Sequence, residues 1–189
     1  MLDNDFSQLL SLFAIYVIGH FQVQISREWT YPRKDVIFVC MTQKDSRYED
    51  LLKQIASVSE GETSRIAVLA NAAALIHYAF GFWWTGFYLV DGEELVLGPF
   101  QGPVACTRIA KGRGVCGTAW MENRTVVVPD VEQFPGHIAC SSASRSEIVV
   151  PIHSCGKVAA VLDIDSDEIA TFDDTDALWL GRIAEIIWR

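Results

Sequence analysis

Residues 147–165 read Glu147-Ile148-Val149-Val150-Pro151-Ile152, then His153-Ser154-Cys155-Gly156, then Lys157-Val158-Ala159-Ala160-Val161-Leu162-Asp163-Ile164-Asp165. Two runs rich in valine and isoleucine, split by a short polar turn ending in glycine, predict a β-hairpin. A second hairpin lies upstream. Trp84-Thr85-Gly86-Phe87-Tyr88-Leu89-Val90 and Glu94-Leu95-Val96-Leu97-Gly98-Pro99-Phe100 flank Asp91-Gly92, a dipeptide suited to a tight turn with positive φ. Val126–Val128 reads as a further short strand. Before the strands, Tyr48, Leu51, Leu52, Ile55 and Val58 recur at helical steps. Ser59–Thr63 breaks that helix, and Ile66, Leu69, Ala70, Ala73, Leu75 and Ile76 mark a second. After the strands, a helix is expected from about Asp173, with Asp173 and Asp176 at capping positions and Leu178, Leu180, Ile183, Ile186 and Ile187 facing inward. Two helices, an antiparallel sheet with a long insert and a closing helix predict an α+β sandwich.

The bulk composition agrees with one folded domain. Half of the 189 residues are hydrophobic and 21% are charged, which excludes wholesale disorder. A net charge of −9, with no basic run, argues against nucleic acid as a partner. Residues 1–40 differ from the rest. The apolar stretch Leu9–Ile18 is too short to span a bilayer. Asp3 and Asp5 lie where a secretory signal would carry basic residues. We therefore expect 1–40 to be an N-terminal extension and the domain to occupy 41–189, without membrane association. Five cysteines, an odd and widely spaced set, suit free or redox-cycling thiols in a reducing, cytoplasmic setting better than a secreted disulfide framework. None of their spacings matches a structural zinc site, and no metal is expected.

Chemistry concentrates between Gly98 and Asp165. Three cysteines occur there among glycines and small polar residues: Cys106 after Gly102-Pro103-Val104-Ala105, Cys116 within Gly112-Arg113-Gly114-Val115-Cys116-Gly117, and Cys140 after Gly136-His137-Ile138-Ala139. Cys140 falls in a polar segment between two strands, where a thiol can meet a ligand. Residue types alone leave it open between a structural and a reactive cysteine. Strand alternation sends Asp163 and Asp165 to one face and Ile164 to the other, with Glu147 on the neighbouring strand. Such a group is either a solvated strand end or a site for a cationic group. Trp84 and Tyr88 share a strand face by parity, whereas Trp83 points away and is expected in the core.

Taken in order, the blocks Gly98–Cys106, Gly112–Ala119, Gly136–Cys140, Ser146–Val149 and Leu162–Ser166 are similar to the free methionine-(R)-sulfoxide reductases, which are single GAF domains. The resemblance covers roughly residues 45–189. It implies a GAF fold, with an antiparallel sheet flanked by N- and C-terminal helices, and thiol-dependent reduction of free L-methionine-(R)-sulfoxide. By the same resemblance, Cys140 is the catalytic cysteine, Cys106 the resolving one and Cys116 an auxiliary one. Glu147, Asp163 and Asp165 would surround the substrate, with Trp84 and Tyr88 as the aromatic wall. Electrons would come from thioredoxin or a similar dithiol protein, with no cofactor, through a Cys140 sulfenic acid and an intramolecular disulfide. Cys40 and Cys155 match no part of the catalytic set. A homodimer is an analogy with GAF domains that pair through terminal helices. The competing reading is a non-catalytic GAF sensor of a small molecule or of redox state.

Overall fold

The computed structural model describes residues 42–138 and 142–188. The expected extension 1–40 and the cysteines Cys40 and Cys140 lie outside the described residues. Helix α1 (Gln43–Ser59) starts at Thr42, whose hydroxyl accepts from the Asp45 N–H while the Asp45 carboxylate accepts from the Thr42 N–H. Both helix-end donors are thereby satisfied in a capping box. Helix α2 (Arg65–Phe80) ends on Gly81 in the left-handed conformation. Strand β1 (Trp84–Asp91), strand β2 (Glu94–Gln101) and strand β3 (Arg108–Ala110) follow. Then come helix α3 (Gly114–Glu122), strand β4 (Val126–Val128) and a 3-10 turn at Val131–Gln133. Strand β5 (Ser146–Ser154), strand β6 (Lys157–Ser166) and helix α4 (Asp174–Ile187) complete the chain.

The strands form one sheet in the order β3-β2-β1-β6-β5-β4, with every neighbouring pair antiparallel. Both expected hairpins are present. β6 lies between them, paired to β1 and to β5. Its alternation supplies two cores. Leu162 and Ile164 join Phe87, Ile148 and the apolar stripes of α1, α2 and α4. Val161, one step out of phase, joins Trp84, Tyr88 and Val149 beneath Val115, Cys116 and Trp120 of α3. Each large apolar side chain so buried contributes roughly 1.5–3 kcal/mol.

Four expectations are corrected. Trp83 is 36% exposed while Trp84 is buried, because Trp83 precedes β1 and strand parity does not extend past a strand's end. Phe82 takes the core place instead. Ile66, Val58 and Leu178 are exposed, lying at the margins of stripes whose centres are Leu69, Ile55 and Leu180. Strand β3 and helix α3 were not anticipated. Three glycines near α3's start (Gly112, Gly114 and Gly117) are poor helix formers. Gly117 is required by close approach, since a Cβ there would lie 2.5 Å from the Ala110 carbonyl oxygen. Tertiary contact with β3, rather than propensity, sets this helix.

Helices α1 and α4 are joined through a buried polar contact. The Tyr48 hydroxyl donates to Asp176 Oδ1 at 2.7 Å, and Lys44 pairs with the other oxygen of the same carboxylate. Asp176 also caps α4 through the Asp173 N–H. Tyr48→Phe removes the hydroxyl and leaves a buried acceptor short of a donor. We expect it to cost about 1–3 kcal/mol in urea-induced unfolding, whereas an unchanged midpoint would show that the contact adds nothing.

Candidate active site

Three carboxylates meet on the face of the sheet that α3 covers. Glu147, the second residue of β5, lies directly opposite Asp165 on β6, and Asp163 lies two residues along the same face of β6. Glu147 and Asp163 are 6% and 7% exposed. Trp84 and Tyr88 of β1 stand beside them, with ring centroids 6.0 Å apart, and all five line one pocket with Cys116 and His137. The structure thus brings together every described residue singled out from the sequence for the substrate. Cys116 Sγ lies 4.0 Å from Glu147 Oε1, and His137 Nε2 lies 4.0 Å from Glu147 Oε2.

Burial sets the protonation states. Removal from water pushes the Glu147 carboxyl well above the usual range, and the charges of Asp163 and Asp165 push it the same way. Asp163 rises for the same reasons, burial first and then the Asp165 charge. Asp165 is pushed up to about 6 by burial, partly offset by a hydrogen bond from Ser144. The Cys116 thiol is raised by burial and by the charges of Asp163 and Glu147, so it stays protonated at neutral pH. Burial lowers His137, which keeps its ring neutral. One acid oxygen, Asp163 Oδ1, is buried with no hydrogen-bond partner. An orphan acceptor beside protonated acids is a place for a donor, such as an ammonium group, to bind.

The aromatic pair also holds a loop. The Trp84 indole N–H donates to the Pro103 carbonyl at 3.0 Å, and the Tyr88 hydroxyl to the Cys106 carbonyl at 2.9 Å. These bonds fix the segment carrying Cys106 at the edge of the pocket. Gly86 makes room for the indole, since a Cβ there would collide with the Trp84 ring. Cys106 is in a disulfide, whereas Cys116 and Cys155 are free. Cys140, the expected nucleophile, lies outside the described residues. Sequence reasoning missed Ser144 as a partner of Asp165, because one serine among Ser141, Ser142, Ser144 and Ser146 carries no distinguishing signal. It also missed the polar tips of Trp84 and Tyr88 as loop anchors, which depend on where the chain returns.

Comparison with known proteins follows the same lines. Residues 62–189 match the GAF domain family. The chain is 57% identical over 145 residues to GAF domain-containing protein A of Dictyostelium discoideum, covering 76% of this chain and 92% of that one. It is 48% identical over 141 residues to the free methionine-R-sulfoxide reductase of Escherichia coli (strain K12), covering 74% and 86% respectively. Among solved structures, free methionine-R-sulfoxide reductase from Neisseria meningitidis in complex with its substrate superposes with a TM-score of 0.76 at 58% identity. That alignment covers 77% of this chain and 89% of that one. No helix among the described residues is long and apolar enough to cross a membrane.

The raised acids have a measurable consequence for stability. Asp165 has an ordinary value of 3.8 and a folded value of about 6, so between those pH values the folded chain binds more protons than the unfolded one. Stability therefore falls as pH rises through that window. Asp165→Asn removes a charge that is buried at neutral pH. We expect this variant to melt higher than the wild type at pH 7.5, with a smaller fall in stability between pH 4 and 6. A lower melting temperature at pH 7.5 would show instead that the Asp165 charge is well solvated.

Proposed function

The chain belongs to the GAF domain family and to its free methionine-R-sulfoxide reductases, and from that premise we propose that it reduces free methionine-(R)-sulfoxide to methionine by thiol chemistry. The observation that carries this reading is the set of acids, buried Glu147 and Asp163 with half-buried Asp165, lining one pocket with Trp84 and Tyr88 beside the loop of Cys106. A sulfoxide needs a nucleophile at sulfur and a proton for the departing oxygen. Acids raised by burial hold that proton at neutral pH, the arrangement general acid catalysis requires. An anionic partner among the same acids suits the amino acid's ammonium. The aromatic wall suits its S-methyl end.

In this scheme the Cys140 thiolate attacks the sulfoxide sulfur while the acid group protonates the sulfoxide oxygen. The oxygen passes to Cys140, which becomes a sulfenic acid, and methionine leaves. The Cys106 thiol then attacks that sulfenic acid, forming the disulfide and releasing water. A dithiol protein of the thioredoxin type reduces the disulfide by exchange and is itself oxidised. Cys106 suits the resolving role because it occurs in a disulfide while Cys116 is free. Cys116, buried and held protonated, is a poor nucleophile at neutral pH and serves at most as an auxiliary thiol. The scheme uses no metal or organic cofactor.

A coupled assay with thioredoxin and free methionine-(R)-sulfoxide tests it. Cys140→Ser is expected to lose both turnover and the first burst of methionine. Cys106→Ser keeps the burst but turns over poorly. Glu147→Gln, which cannot hold the acid proton, is expected to slow the burst by about 100-fold or more. Turnover by Cys140→Ser at the wild-type rate would overturn the assignment.

A further inference from the structure

Cys116 Sγ, a Glu147 oxygen and an Asp163 oxygen lie within 4.8 Å of one another, and all three side chains are buried. They come from three separate elements, α3, β5 and β6. Two features set this cluster apart from an ordinary acidic patch. Asp163 is 7% exposed, faces the pocket, and has an oxygen with no hydrogen-bond partner. The neutral imidazole of His137 lies beside it, with Nε2 4.0 Å from Glu147 Oε2, while Cys116 approaches the other oxygen of that carboxylate. Thiolate, imidazole and carboxylate are the ligands of zinc-type cations, and the sulfur disfavours magnesium and calcium.

We propose that Cys116, Glu147 and Asp163, with His137 as fourth ligand, form a site for a single zinc-type divalent cation, which acts as a reversible inhibitor rather than a cofactor. In a tetrahedral zinc site, neighbouring ligand atoms lie about 3.3–3.6 Å apart. The Cys116–Glu147 separation is 4.0 Å and the three ligand atoms lie within 4.8 Å of one another, so binding draws them together by up to about 1.5 Å and turns the His137 ring in toward them. Binding displaces protons from the thiol and the acids, and the metal takes their place. Cys116 is free in the same state in which Cys106 is in a disulfide. The site therefore persists in the oxidised protein, unlike one built from the redox-cycling thiols. The inhibition rests on the proposed function, because the metal takes the acids assigned there to substrate and proton. The binding itself does not.

Cobalt(II), which reports thiolate coordination by its colour, is the probe. Titrated into the oxidised full-length protein, it should give a thiolate-to-cobalt charge-transfer band that saturates at one equivalent and is bleached by zinc. Cys155→Ser should leave the band unchanged, and Cys116→Ser should abolish it. Asp163→Asn should keep the band but weaken binding by more than about tenfold. Absence of the band in the wild type, its persistence in Cys116→Ser, or unaltered affinity in Asp163→Asn would overturn the site. Free methionine-(R)-sulfoxide should displace the cobalt, and failure to do so at saturation would overturn the inhibitory role. Inactivity of the metal-free protein would count against the proposed reaction and leave the cobalt spectrum as it is.

Discussion

Strand β6 has two faces that serve opposite ends, and the rest of the domain is arranged around that division. Leu162 and Ile164 are buried among the helices, while Asp163 is buried and Asp165 half-buried on the other side. Shifting the register of β6 by one residue would put carboxylates among Phe87 and Leu180 and leucine in the pocket. Pairing with β1 on one side and β5 on the other excludes that slip. The apolar face thus determines which residues the opposite face must bury.

Burying three acids together opposes folding, since each loses water and the three repel when ionised. The domain tolerates this because Glu147 and Asp163 keep their protons at neutral pH, leaving Asp165 as the acid that ionises near pH 6, and because the helical core behind them is extensive. The same burial that weakens the fold prepares the chemistry: an acid that stays protonated near neutrality can give its proton to a departing oxygen. Stability and reactivity are set against each other at one place in the sheet.

The aromatic residues link this site to the redox loop. Trp84 and Tyr88 line the pocket while their polar atoms donate to carbonyls at Pro103 and Cys106. Phe100 stacks on Trp84. The wall next to the acids and the loop bearing Cys106 are therefore one mechanical unit, although residues 84 and 106 are far apart in sequence.

Both hairpins, the three helices α1, α2 and α4 with the cap of α4, and the common face of Asp163 and Asp165 were legible in the sequence, because each depends on local periodicity or turn chemistry. The placement of Trp83 was not, because parity fails where a strand begins. Helix α3 was not either, because contact with β3 overrides a glycine-rich stretch of low helix propensity. Sequence alone could place Glu147 near Asp165 only through the pairing of β5 with β6. It could not say that α3 would lie over them with Cys116, or that their carboxyl groups would be dry. Whether a carboxylate is ionised depends on the dielectric around it and the charges nearby, and those are set only when distant segments close over it. The sequence by itself determined which residues share a face. The tertiary structure decided what that face touches, and with it the protonation of the acids.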